Sequence, residues 1–185
     1  MSELPDLGAA GLRLLEPEDA PELYAVIDAN REHLSPWVPW AAGQTLLDTE
    51  AFIASTREQH AANNGFQAAV APGGAIVGIV GFHSVSWENR MTSLGYWLAA
   101  DAQGRGTMTS AVRFLVDHAF GPWELHRVEI HAAPENLRSR AIPERLGFRQ
   151  EAVLRETERI GDRYLDGVVY GVLEDEWRAH QSTFS

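Results

Sequence analysis

The sequence predicts an α/β fold, a central mixed, twisted β-sheet flanked by helices on both faces. Three observations predict it. Apolar, β-branched stretches lie on either side of the turn Pro72-Gly73-Gly74, a second pair of strand-like stretches flanks Gly161-Asp162, and between them a strand, a helix and a strand follow one another from Met91 to Ala132. Tight hairpins join antiparallel strands, whereas parallel strands need a crossover, so the sheet must be mixed.

Each element has its own justification. Gly11 to Glu16 reads as the first strand. Glu18-Asp-Ala-Pro21 opens a helix to about Arg31, with acidic residues in its first turn, where the helix dipole favours them. A loop with two prolines and two tryptophans, His33 to Trp40, follows. Thr45 to Asn63 is a second helical stretch, with Leu47, Phe52 and Ile53 as expected core positions. From Gly65 to Trp87 there is no Asp, Glu, Lys or Arg, a length that could span a bilayer. The Pro-Gly-Gly punctuation in its middle and Val70, Ile76, Val77, Ile79 and Val80 around it make it two buried strands instead. Met91 to Ala99 is a strand. Arg105 to Phe120 is an amphipathic helix, with Met108, Ala111, Val112, Leu115 and Ala119 on one apolar stripe. Arg127 to Ala132 is a strand, Arg138 to Leu146 a short helix stopped by Gly147, and Gln150 to Ile160 pairs with Arg163 to Leu173.

Composition narrows the function. The chain has 185 residues, 15 Lys+Arg against 26 Asp+Glu, a formal net charge of −11 and no cysteine. No repeat, low-complexity tract or flexible linker divides it, so one domain over residues 1–185 is expected; a domain this size buries roughly 70% of its unfolded surface without a metal or disulfide staple. The missing cysteines exclude thiol nucleophiles, Cys-ligated zinc and iron–sulfur clusters. The acidic balance opposes nucleic acid and anionic membranes and favours a cationic partner. Met1 to Asp6 has neither a basic nor an apolar signal region, and a cytoplasmic location is expected. The seven histidines show no metal-ligand spacing, and no metal is assigned.

The chemistry concentrates in Gly95-Tyr-Trp-Leu-Ala-Ala-Asp-Ala-Gln-Gly-Arg-Gly-Thr-Met-Thr109, which runs strand, glycine loop, helix. Amides at a helix start have no intrahelical partner and sit at the positive end of the dipole, so this geometry can bind phosphate. Gly104 and Gly106 would let backbone approach an anion, and Arg105 adds charge. Two glycines at a helix entry are more often a plain turn, and neither a dinucleotide fingerprint nor a P-loop is present.

The order of motifs resembles the GNAT superfamily of acyl-CoA-dependent N-acyltransferases: a strand, Gln103-Gly-Arg-Gly106 opening a helix, a strand, then Glu135-Asn136-x-x-Ser139 leading a short helix that ends Arg145-Leu-Gly-Phe148. His33-Leu-Ser-Pro-Trp37-Val-Pro-Trp40, Gly95-Tyr-Trp-Leu98 and Arg163-Tyr-Leu-Asp166 sharpen the likeness toward the ribosomal-protein N-terminal acetyltransferases of RimJ/RimL type, from Leu12 to about Glu176. The resemblance implies an acetyl-CoA-dependent N-acetyltransferase acting on a primary amine, most readily a protein or peptide α-amine, by direct attack through a tetrahedral intermediate. It also implies that the strand from Tyr96 to Leu98 splays from its parallel neighbour to admit the pantetheine arm along Trp97 and Leu98. By the same likeness Gln103, Gly104, Arg105, Gly106, Thr107 and Met108 hold the pyrophosphate, Asn136 contacts the arm, Ser139 is acid or sulfur partner and Glu158 is the base. A homodimer is a further expectation. Met108 replaces a usually small residue, and Pro143 stands where many members carry a tyrosine that protonates the leaving thiolate.

Plainer readings stand beside these. Glu158 lies in a charged run that suits a solvated strand face, Ser139 suits a helix cap, and Trp37 and Trp40 are either core lids or a rigid aromatic wall for the acceptor. Competing functions are acetylation of a small amine (an amino acid, polyamine or aminoglycoside) and a non-catalytic acyl-CoA sensor.

Overall fold

A computed structural model describes residues 4–182; Met1, Ser2 and Glu3, at the start of the stretch read above for a signal peptide, lie outside the described residues, as do 183–185 of the expected domain. Seven strands, β1 (Leu12–Leu14), β2 (Gln67–Val70), β3 (Gly78–Ser86), β4 (Met91–Leu98), β5 (Arg127–Ala132), β6 (Arg149–Ile160) and β7 (Arg163–Leu173), join in one sheet in the order β1-β2-β3-β4-β5-β7-β6. Only β4 and β5 are parallel; every other neighbouring pair is antiparallel. Both expected hairpins form, β2 with β3 and β6 with β7, and the single crossover between β4 and β5 makes the sheet mixed.

The helices are α1 (Ala20–Ala29), α2 (Arg31–Leu34), α3 (Leu46–Ala61), α4 (Thr107–Phe120), α5 (Leu137–Arg145) and α6 (Glu174–Ser182). All five expected stripe residues of α4 are buried and join the core on one sheet face, with Leu94, Ile130 and Tyr170 from the strands. Truncating a side chain such as Leu115 there would cost about 2–5 kcal/mol in lost transfer energy and residual cavity. On the opposite face Leu23 and Ile27 of α1 and Ile53 of α3 pack on Ala69 of β2 and Ile79 of β3. Helices thus cover both faces, but the second face only over its β1–β3 half.

The structure corrects three local expectations. Leu47 is 73% exposed rather than in the core. The Thr45 cap starts α3 so that Thr49, Ile53 and Thr56, at three- and four-residue steps, face inward instead. The stretch expected as loop from His33 begins inside α2, because Arg31 donates to the carbonyls of Ala41 (2.8 Å), Ala42 (3.2 Å) and Gln44 (2.6 Å) and folds the following segment back. Helix α6 was not expected at all. Three acidic residues in its first turn complement its dipole, and Trp177 wedges against Phe120 and Phe148 while its indole N–H donates to Asp117 Oδ1 at 2.8 Å.

One buried group opposes acid stability. His118 of α4 is packed among Trp123 and Phe66, and its Nε2 has no hydrogen-bond partner. Burial pushes its pKa down from 6.5 to about 4. The unfolded chain therefore takes up this proton first as pH falls, and stability drains between about pH 6.5 and about pH 4, by up to on the order of 3 kcal/mol. Urea midpoints at about pH 7 and about pH 5 test this: His118→Leu should narrow the gap between them.

Candidate active site

The β4–β5 pairing is short. Met91, Thr92, Ser93 and Leu94 pair with Arg127, Val128, Glu129 and Ile130, and there it ends, although β4 runs on to Leu98 and β5 to Ala132. On its other side β4 stays bonded to β3 as far as Leu98 opposite Gly78. The two parallel strands therefore part, and the β5-facing backbone of Gly95 to Leu98 has no strand partner. Such an edge pairs readily with an extended ligand.

Tyr96 holds the split open. From β4 its hydroxyl donates to the backbone carbonyl of Ser139 in α5 at 2.9 Å, and burial raises its pKa so that it remains a donor. The split continues into a cleft of about 1030 Å³ bounded by the end of β4, the loop 99–106, the starts of α4 and α5, and the segment around Trp37. This is the size of a pocket for a large small-molecule ligand.

The loop ends on a bare helix start. Gly106 is the N-cap of α4 at φ +79°, and Gly104 is at φ +77°; an added Cβ would touch nothing at either, so backbone conformation rather than space requires glycine. No side chain caps α4 and its first turn holds no acid, whereas Thr45 caps α3 and Asn136 caps α5. The leading amides of α4 are thus left for an anion.

Charge around the cleft runs against the chain's overall sign. Arg105, Arg113, Arg138 and Arg145 line it, with Glu135 as the sole carboxylate in the lining. None of the four pairs with a carboxylate among the described residues: Arg105 donates to Asp101 O at 3.1 Å, Arg145 to Thr109 Oγ1 at 2.9 Å, Arg138 to Gln103 Oε1, and Arg113 lies over the Trp177 ring. Gln103 also contacts His33 Nε2 at 2.8 Å, which ties α2 to α5 across the mouth.

The expected residues converge unevenly. Trp37, Trp97, Leu98, Gln103 to Met108, Asn136 and Ser139 all line the cleft. Met108 is buried in the core beneath α4, so its departure from a small residue falls on a core side chain. Asn136, not Ser139, caps α5: its Oδ1 accepts from Ser139 N at 3.2 Å, which leaves its amide N–H₂ and the Ser139 hydroxyl for a ligand. Trp40 stands outside the lining, half-exposed, its ring edge-on to Trp97 at 6.1 Å. Glu158 also lies outside it, exposed on β6 opposite Leu165. That position is on the part of the β6–β7 hairpin that extends past β5, whose last residue, Ala132, pairs with Val168. Among the described residues no group of three or more His, Asp or Glu side chains could hold a metal ion, and no helix is long and apolar enough to cross a membrane. Tyr96 was read only as part of the splayed strand, and Arg113, Arg138 and Arg145 were not singled out from the sequence. A clustering of arginines between 105 and 145 in an acidic chain was the available signal for the last three.

Comparison with known proteins agrees with this geometry. Residues 10–149 match the model of the acetyltransferase (GNAT) domain. The chain is 37% identical over 172 residues, 92% of its length and 94% of the relative's, to a Bacillus subtilis (strain 168) protein named "Putative ribosomal N-acetyltransferase YdaF". It is 25% identical over 171 residues, 90% of its length and 88% of the relative's, to the [ribosomal protein uS5]-alanine N-acetyltransferase of Escherichia coli (strain K12). Among solved structures it is similar to the Microcin C7 self immunity acetyltransferase MccE in complex with acetyl-CoA and AMP, with a TM-score of 0.83, 26% identity, and coverage of 88% of this chain and 91% of that one.

The strut makes a test of the split. Tyr96→Phe leaves the part-buried Ser139 carbonyl without its donor and should lower stability by about 1 kcal/mol in denaturant unfolding, with faster amide exchange in α5.

Proposed function

The chain belongs to the GNAT acetyltransferases, and from that premise we propose that it transfers the acetyl group of acetyl-CoA to the α-amine of a protein or peptide N-terminus. One observation carries the reading: the unpaired edge of β4 leads directly to an uncapped helix start rimmed by four arginines that pair with no carboxylate among the described residues. A thin amide-bearing arm ending in a diphosphate suits that sequence of surfaces. Trp97 and Leu98 would flank the arm with the Asn136 amide, Gln103 to Met108 would hold the pyrophosphate through main-chain N–H groups, and Arg138 and Arg145 would face its charge. Acetyl-CoA supplies the activated acyl group.

The chain's residues then have three tasks. Attack on a thioester needs a neutral amine; an α-amine with pKa ~8 needs little help near neutral pH, whereas a lysine at ~10.4 needs more. Glu158, on the part of the β6–β7 hairpin that extends past β5, is the base of this reading. Ser139, in the cleft wall, is the donor toward the departing sulfur, the role that Pro143 cannot fill. Main-chain N–H groups along the split steady the developing oxyanion, and alignment of amine and thioester supplies most of the acceleration. With no cysteine in the chain, no acetyl-cysteine can form, and transfer is direct. Trp37 and Trp40 form the aromatic wall for the acceptor. The reading extends to a cytoplasmic, single-domain enzyme that works as a homodimer.

Thiol release from acetyl-CoA in the presence of N-terminal peptides, polyamines or aminoglycosides tests the acceptor; peptides should be acetylated at the α-amine, and exclusive use of a small amine would overturn the assignment. Glu158→Gln should lower kcat by about 10²–10⁴-fold with acetyl-CoA affinity unchanged. Gly106→Ala forces a side chain to positive φ and should weaken acetyl-CoA binding, as should Arg138→Ala, whose effect shrinks at high salt.

A further inference from the structure

Where β4 and β5 part, a second polar group lies on the sheet face opposite α4. Its residues alternate with the core residues Val128 and Ile130 of β5. His131 Nε2 sits 3.0 Å from Glu129 Oε2, and Glu129 Oε1 accepts from Arg127 Nε at 2.8 Å. Arg127 in turn forks onto Glu151 of β6. The last paired residue of β5 is Ile130, so His131 is the first residue beyond the parting, level with Gly95 of β4. From β3, the His83 ring lies directly over Gly95: a Cβ there would stand 2.3 Å from His83 Nε2, so only glycine seats the ring. His83 Nδ1 is 3.1 Å from Ser93 Oγ. β7 presents no titratable group here, since Val169 is opposite His131 and Gly171 opposite Glu129.

This face is open. Helices α1 and α3 pack over β2 and β3, and His131 is half-exposed. Trp40 and Trp97 stand along the same face, on the β4 side, as the alternation from Ser93 and Gly95 to Trp97 requires. An acceptor can therefore reach the split from here while the cleft on the other side is filled.

Resting on the acetyl-transfer reading above, we propose that His131, oriented by Glu129, takes the second proton that the acceptor nitrogen must lose. The balance requires such a group. A primary ammonium carries three protons and the amide product keeps one. Glu158 removes the first and frees the lone pair. The nitrogen then bonds to the acetyl carbon and becomes cationic, and its second proton passes to His131 Nδ1 as the C–S bond breaks. The Ser139 hydroxyl gives its proton to the departing sulfur and regains one from water, while Glu158 and His131 return theirs to water, so that one proton is released for each acetyl group transferred. The carboxylate contact keeps hydrogen on Nε2 and leaves Nδ1, which has no partner among the described residues, as the acceptor. Burial alone would raise the Glu129 pKa, but the bonds from His131 and Arg127 outweigh it and keep it ionised, ready to stabilise an imidazolium. Burial, and then the charge of His131, lower the pKa of His83, which stays neutral beside it.

Two acceptors separate the bases: an ordinary α-amine peptide, and a fluorinated amine basic enough to attack yet already neutral near pH 7. Glu158→Gln should regain most of its lost rate on the fluorinated amine. His131→Ala should remain at least about 10²-fold slow on both, recover with added imidazole, and bind acetyl-CoA with unchanged affinity by tryptophan fluorescence. Glu129→Gln should show a smaller loss with a shifted pH profile. Wild-type rates for His131→Ala on both amines, a defect that imidazole does not relieve, or a matching loss of acetyl-CoA affinity would each overturn the proposal. Failure of the unmodified protein to release thiol with any amine would instead overturn the acetyl-transfer reading itself.

Discussion

The parting of β4 from β5 after Leu94 and Ile130 is the constraint on which the site depends. Parallel strands of this length would ordinarily bond to their ends, and two features stop them. The chain leaves β5 after Ala132 through Pro134, which has no N–H to offer a ladder, and enters α5. Helix α5 is then held off β4 by the Tyr96 hydroxyl on the Ser139 carbonyl. The result is a row of β4 backbone groups that would cost about 1–3 kcal/mol each if buried without partners, and that instead face a cleft. Binding capacity is thus built from main chain, which explains why so few side chains are dedicated to it.

Electrostatics divides the molecule in a compatible way. Four arginines against one glutamate line a single cleft in a chain of net charge −11. The remaining surface is strongly acidic, which slows anions in general but leaves one place where they are welcome, and draws cationic amines to the rest. All 15 basic residues are arginine; the sequence contains no lysine. Guanidinium stays charged and is a poor nucleophile, so in the proposed reaction the chain presents cations to the donor without a single ε-amine to compete for its acyl group.

Much of this architecture was legible in the residues. Pro72-Gly73-Gly74 and Gly161-Asp162 marked both hairpins, and the α4 stripe marked its buried face, because those signals are local and periodic. Gly104 and Gly106 pointed to the helix start for the same reason: a positive φ is a property of a single residue. What escaped depends on contacts between distant segments. Leu47 looked like core until the Thr45 cap set the phase of α3, and α6 was concealed because its anchor, Trp177, finds Phe120, Phe148 and Asp117 only in the folded chain. The Tyr96 strut spans 43 residues of sequence and carries no motif. Histidine spacing speaks only to metal ligation, whereas the partner of His131 is Glu129, two residues along the same strand face. Period-two alternation makes that pairing visible in retrospect.

The two faces of the split give the chemistry a direction. In the proposed reaction the anionic donor occupies the α4–α5 side, where amides and arginines concentrate, and the acceptor comes from the opposite side, where Glu129 and His131 sit. The two substrates share only the gap between the strands. Protons lost by nitrogen then leave on the acceptor side, through groups next to water, while sulfur collects its proton from the cleft wall. A sheet closed by one more pair of ladder bonds beyond Leu94 would keep every helix, arginine and histidine in place and still separate the reactants by a layer of backbone. The split, more than any one side chain, is what makes the two half-sites a single site.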